Sequence, residues 1–303
     1  MERISPAVRH GKAEKFHIKF DEIERYCAWQ TLHVKRGREN LDMDTFKTEY
    51  EWAESLLGRG DSAGAIGAFT RLLEESESAR PRRALVLQGL ARSLHAAGRA
   101  GEAVDLLREA WEILCREFGA EHPASLGAQQ NLSFILQAVG RFDESMKVGE
   151  SALASLIARS GECSMPVADA MIRLSASYYE ADRLNEAKSL SRRAKLILDR
   201  LDPQGFAMST CLNNLGRIAE EEGDAESGCA LHRQAVAIRK RLCGNGRETA
   251  FCLGNLGTAL LAAGHRDEAA SVLEESLRCY ALAGCTEGRN IEGLRHNLAL
   301  CRK

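Results

Sequence analysis

Six times along this chain a residue that interrupts helices, Gly60, Gly98, Gly140, Asp182, Gly223 or Gly264, is followed five residues later by a small one: Ala65, Ala103, Ser145, Ala187, Gly228 or Ala269. From Gly98 onward the spacings are 42, 42, 41 and 41 residues. A period of that length marks one supersecondary unit copied and stacked. No single copy can carry a core of its own, so function belongs to a surface the copies share.

One copy shows the unit. From Ala84, Leu87, Leu90, Ala91 and Leu94 recur at helical spacing up to the Ala97-Gly98-Arg99 break, which predicts a first helix, A. Beyond it Ala103, Leu106, Leu107, Ala110, Ile113 and Leu114 form a second stripe, helix B. The pair of a Leu and a small residue recurs as Leu90-Ala91, Leu132-Ser133, Leu174-Ser175, Leu215-Gly216, Leu256-Gly257 and Leu298-Ala299, with Trp52-Ala53 as a degenerate first member. Small residues there let the two helix axes approach closely. Asp182 replaces Gly at one break because Asp tolerates left-handed backbone angles better than most residues.

The expected fold is all-α, a right-handed superhelical solenoid of antiparallel helix pairs. About six repeats are expected at 46–79, 84–117, 126–159, 168–201, 209–242 and 250–283, with a half-repeat helix at 292–302 closing the array and no internal break after about residue 40. Residues 1–40 read as an extension with an orphan helix at about 21–36. The alternation of Phe16, Ile18 and Phe20 fits a short strand or a helix extension equally.

Composition narrows the function. The 41 basic and 43 acidic residues are interleaved, for a net charge of -2, so no general field attracts nucleic acid or anionic lipid. No apolar run is long enough for a membrane span or a signal peptide, which makes the cytoplasm the expected location. The ten cysteines are scattered without a C-x-x-C and read as reduced. Cys211 and Cys252 stand where other copies carry Ala170, Ala128 and Val86, a small packing slot that free Cys fills readily.

The run from Ile113 to Ser145, ILCREFGAEHPASLGAQQNLSFILQAVGRFDES, resembles the tetratricopeptide repeats of kinesin light chains, with a long helix B, a Gly-x-x-His-Pro connection and an Asn-Leu-small helix A. The likeness covers roughly residues 46–302. It implies an adaptor that uses Asn in that context to hold extended peptides. Pro81, Pro123, Pro166 and Pro203 fall between the copies, where a Pro cannot disturb a helix interior.

Two residues before each small slot of helix A stand Gly89, Asn131, Arg173, Asn214, Asn255 and Asn297. An amide offers donor and acceptor together and suits a peptide main chain of any sequence. The alternative is that these amides bond neighbouring helices. Gln88, Arg92, Gln130, Asn213 and Arg217 join the same expected wall, with His95, Gln137 and Tyr179 nearby. Arg92, Asn131 and Arg173 partly resemble the carboxylate clamp of chaperone-binding repeats, although Gln88 stands where that clamp has a Lys.

Glu220 and Glu221, beside Arg217, read as a solvated helix end, and His122 belongs to an inter-repeat connection. No phosphate loop, metal helix or nucleophile elbow appears, so no enzyme, cofactor or metal is expected. The expected partner is a protein, through an extended and acidic segment, with no nucleic acid or membrane. A second reading has the array self-assemble, or serve as the sensor or scaffold part of a larger regulatory complex, through terminal helices whose Leu294, Leu298 and Leu300 would form an apolar edge.

Overall fold

The computed structural model describes residues 43–76 and 80–302, all of whose regular elements are helices. The orphan helix expected at 21–36 and the alternation at Phe16 to Phe20 lie outside them. In order, the A helices are α1 (Met43–Gly58), α3 (Arg80–Ala96), α5 (Pro123–Ala138), α7 (Met165–Glu180), α9 (Phe206–Glu221), α11 (Arg247–Ala262) and α13 (Arg289–Cys301). The B helices are α2 (Ser62–Glu75), α4 (Ala100–Phe118), α6 (Phe142–Ser160), α8 (Leu184–Leu201), α10 (Ala225–Cys243) and α12 (Arg266–Leu282). Pro123 and Pro166 occupy the first turns of α5 and α7, where a missing N–H costs nothing. Pro81 likewise lies in the first turn of α3.

Each break ends an A helix by one device. The residue after the interruption donates its N–H five positions back, as Arg99 does to the carbonyl of Leu94 and Arg141 to that of Leu136, both at 2.8 Å. That closure requires a left-handed residue just before the donor. Gly98 supplies it at φ 80°, and Asp182, at φ 61°, is the single non-Gly residue of positive φ among those described. B helices then start on polar caps in places: Asp61 accepts from the Gly64 N–H at 2.8 Å and Asp224 from the Ser227 N–H at 3.0 Å.

Inside a repeat, the small slot of helix A is matched to whatever helix B presents. Ser133 and Ser145 exchange hydrogen bonds, each hydroxyl reaching the other's carbonyl at 2.9 and 2.7 Å. Ser175 meets Ser191 at 2.5 Å. Where helix A has glycine, helix B brings a large side chain: a Cβ on Gly216 would lie 2.7 Å from the His232 ring, and one on Gly257 would lie 2.6 Å from Leu273. Size is conserved across the pair, as close packing demands.

The described residues form two compact units, 43–159 and 160–302. The core of the first unit runs from Phe46 through Leu136, and around α10 to α13 of the second a cluster runs from Cys229 to Leu294. In the second unit α7, α9, α11 and α13 also touch in succession, so its A helices share one side of the stack.

Candidate functional site

The amide ladder is built between repeats. Asn131 Nδ2 donates to Gln88 Oε1 at 3.0 Å, Asn214 Nδ2 to the Ile172 carbonyl at 3.3 Å, and Asn255 Nδ2 to Asn213 Oδ1 at 2.9 Å. In each case the acceptor belongs to the residue just before the preceding rung, so every amide reaches back by one repeat. Asn297 bonds the Thr258 hydroxyl at 3.1 Å in the same backward sense. Gly89 is no rung because the Phe69 ring fills the space a side chain would need.

Burial divides the rungs. Asn131, Asn255 and Asn297 are buried, as are Gln88 and Asn213, which had been expected on an open wall. Their amides hold A helices in register, as an unpaired buried amide would be costly. Asn214 is half-buried, and a continuous half-exposed stripe runs through it along α9: Ala207, Thr210, Asn214 and Arg217. The helical spacing of three and four residues puts these four on one face. Neighbouring A helices add Arg173 and Tyr179 from α7 and Phe251 and Thr258 from α11, all half-buried. In the first unit Gln130, Phe134 and Gln137 of α5 are likewise half-buried.

The cations expected to attract acidic groups already have partners. Arg92 chelates both carboxylate oxygens of Glu54 and reaches the Tyr50 hydroxyl at 3.3 Å, tying α3 to α1. Together with the buried Gln88–Asn131 pair, this leaves the clamp-like trio without its expected geometry. Arg217 pairs with Glu180 at 2.8 Å and lies over the Tyr179 ring at 4.1 Å, while the Tyr179 hydroxyl donates to Glu221 at 2.9 Å. Burial pushes the Tyr179 phenol up to about 12, against the pull of Arg217.

Glu220 is not part of a solvated helix end. Its carboxylate meets His232 Nε2 at 2.7 Å, and His232 Nδ1 meets Asn213 Oδ1 at 2.8 Å. His232 is fully buried, so the line Asn255–Asn213–His232–Glu220 joins two repeats through the core. The sequence signal for it was the coincidence of Gly216 and Gly228 with a His where other B helices carry Leu107, Ser191 or Leu273. His122 caps α5, its Nδ1 accepting from the Ala124 N–H at 3.2 Å. At the last helix Leu294 is buried and Leu298 and Leu300 pack against the same core, so much of the expected apolar edge is covered within the chain.

Tetratricopeptide repeat models match residues 207–281 and 83–124, which coincide with α9 to α12 and with α3 and α4. These segments of the chain are tetratricopeptide repeats. They resemble those of kinesin light chains. Protein KINESIN LIGHT CHAIN-RELATED 2 of Arabidopsis thaliana is 34% identical over 101 residues, a match covering 33% of this chain and 14% of that relative. A Podosopora anserina structure of kinesin light chain nearly identical TPR-like repeats aligns at TM-score 0.55 and 21% identity, over 65% of this chain and 96% of that one. The quorum sensor NprR of B. thuringiensis aligns at TM-score 0.63 and 15% identity, over 92% of this chain and 75% of that one. The same sensor has also been solved with its cognate peptide NprX, and that structure aligns at TM-score 0.62, 13% identity and 93% and 76% coverage. At these identities the structures share the fold with this chain. Among its described residues no helix is long and apolar enough to cross a membrane.

Proposed function

We propose that this chain is an interaction scaffold that holds an extended segment of a partner protein on the A-helix side of residues 160–302. The observation that carries this reading is the half-exposed stripe Thr210, Asn214 and Arg217 on α9, flanked by Tyr179 and Arg173 on α7 and by Phe251 and Thr258 on α11. Asn214 uses Nδ2 within the fold, and its Oδ1 is the atom offered to a peptide N–H. Tyr179 and Phe251 supply apolar area beside it. Neighbouring helices lie about 8–10 Å apart, so an extended peptide at about 3.3 Å per residue meets one helix roughly every third residue.

Buried Asn255 and Asn297 support this surface from beneath by fixing helix register. Arg217, already paired with Glu180, favours an acidic ligand group only by exchanging partners. The NprR complex with a peptide is in keeping with this use of the fold.

The test is selection of random linear peptides on the purified protein, followed by fluorescence anisotropy with the selected peptides. Asn214→Ala should weaken binding by about fivefold, the equivalent of about 1 kcal/mol for one hydrogen bond, with an unchanged circular dichroism spectrum. Equal binding to wild type, Asn214→Ala and Arg217→Ala would place the ligand elsewhere.

A further inference from the structure

Position 239 is a core position of the repeat. Counted from the break before each B helix, it corresponds to Leu114, Leu156, Leu198 and Tyr280, every one of them buried. In this repeat alone the position holds an arginine, and Arg239 is 6% exposed. A buried guanidinium ordinarily has a carboxylate beside it, because desolvating a charge without a counterion is costly. Arg239 has no ion pair among the described residues. One terminal nitrogen donates to the Thr210 hydroxyl at 2.8 Å, and Nε has no hydrogen-bond partner.

The surroundings relieve part of that cost. The Phe206 ring lies 3.2 Å from the guanidinium carbon, and Arg239 stands near the C-terminal end of α10, where the helix dipole favours a cation. The Cys252 thiol, also close by, supplies no charge near neutral pH, since burial pushes it up to about 11. What the site lacks is an anion. Phe206, whose ring lies over the guanidinium, is itself 41% exposed. Thr210 lies one helical turn from Asn214 on the stripe assigned above to the peptide.

We propose that Arg239 is an oxyanion site beneath Phe206 that takes a carboxylate from an acidic side chain of the bound partner segment, while the Thr210 hydroxyl, which accepts from Arg239 and donates to the Phe206 carbonyl at 3.2 Å, positions the guanidinium. Arg239 Nε and its terminal nitrogens donate to the two carboxylate oxygens, a pairing that guanidinium geometry favours. Phe206 turns aside to admit the ligand and then stacks on the pair. The inference rests on the peptide reading for its physiological ligand, while the anion site itself is testable without any peptide.

The experiment is thermal melting of the full chain at fixed ionic strength, with chloride replaced stepwise by acetate or by inorganic phosphate, for wild type, Arg239→Leu and Phe206→Ala. Arg239→Leu installs the residue that three other repeats carry and is expected to fold. Expected results are a saturating rise of the melting temperature in acetate for wild type, its loss in Arg239→Leu, and a higher melting temperature for Arg239→Leu than for wild type in chloride. Phe206→Ala should reach saturation at lower acetate. A rise of equal size in wild type and Arg239→Leu, or none in either, overturns the site. Saturation by phosphate alone overturns the carboxylate assignment. Acetate saturation with failure of the peptide selections would leave the anion site standing and remove the peptide reading.

Discussion

Asn255 Nδ2 donates to Asn213 Oδ1 across one repeat boundary, at 2.9 Å and out of reach of solvent. The same Asn213 oxygen faces His232, so one amide joins two A helices and the intervening B helix. Removing the Asn255 side chain would leave a buried acceptor short of a donor and open a small void.

Asn255→Ala is therefore expected to destabilise the fold by about 1–3 kcal/mol, the usual range for stranding a buried polar group. Asn214→Ala, at a half-exposed rung, should cost distinctly less. Urea unfolding of both variants measures the difference. Equal midpoints would contradict the division of the ladder into buried and accessible rungs.

Gly216 and His232 form a second dependent pair. A methyl group on Gly216 meets the His232 ring at 2.7 Å, and the ring is held on both sides by Asn213 and Glu220. Gly216→Ala should cost about 1–3 kcal/mol by overpacking. Because the clash vanishes when the ring does, the double variant with His232→Ala should be more stable than the sum of the single effects, a coupling that a double-mutant cycle reads directly.

The cysteines differ in reactivity for a physical reason. Burial pushes the Cys211 thiol up to about 12 and the Cys252 thiol up to about 11, whereas Cys163 is exposed. The thiolate is the reactive form. Brief treatment of the native protein with iodoacetamide near pH 8 should label Cys163 first and leave Cys211 and Cys252 untouched until unfolding, as peptide mass mapping would reveal.

Asp224 gives stability a pH dependence at the start of α10. Hydrogen bonding to Ser227 holds its carboxyl below the ordinary 3.8. With a depressed folded value the contribution is fully present above the unfolded value and is lost as pH falls through the folded one. Wild type should melt above Asp224→Ala at pH 6, and the gap should narrow steadily as pH drops below about 4. A gap independent of pH would mean that the carboxylate does not cap the helix in its charged form.

The helix pairs were legible in the sequence because a break every 41 or 42 residues and a Leu-small pair on each A helix are local signals, set by backbone geometry and close packing. Asp182 in its left-handed role could be read in the same way. The fate of the amides could not. Asn131, Asn214 and Asn255 occupy one slot and look alike in the chain, yet two are buried and one is half-open, because burial depends on how neighbouring A helices approach. The charges posed the same difficulty: Arg92 finds Glu54 and Arg217 finds Glu180 one repeat away, partners that no spacing within one repeat identifies. Sequence by itself thus determined the repeat, its period and its small-residue contacts. Only the tertiary structure decided which polar side chains bind the repeats together and which remain for a partner, since that depends on desolvation, which arises only when one repeat is laid against the next.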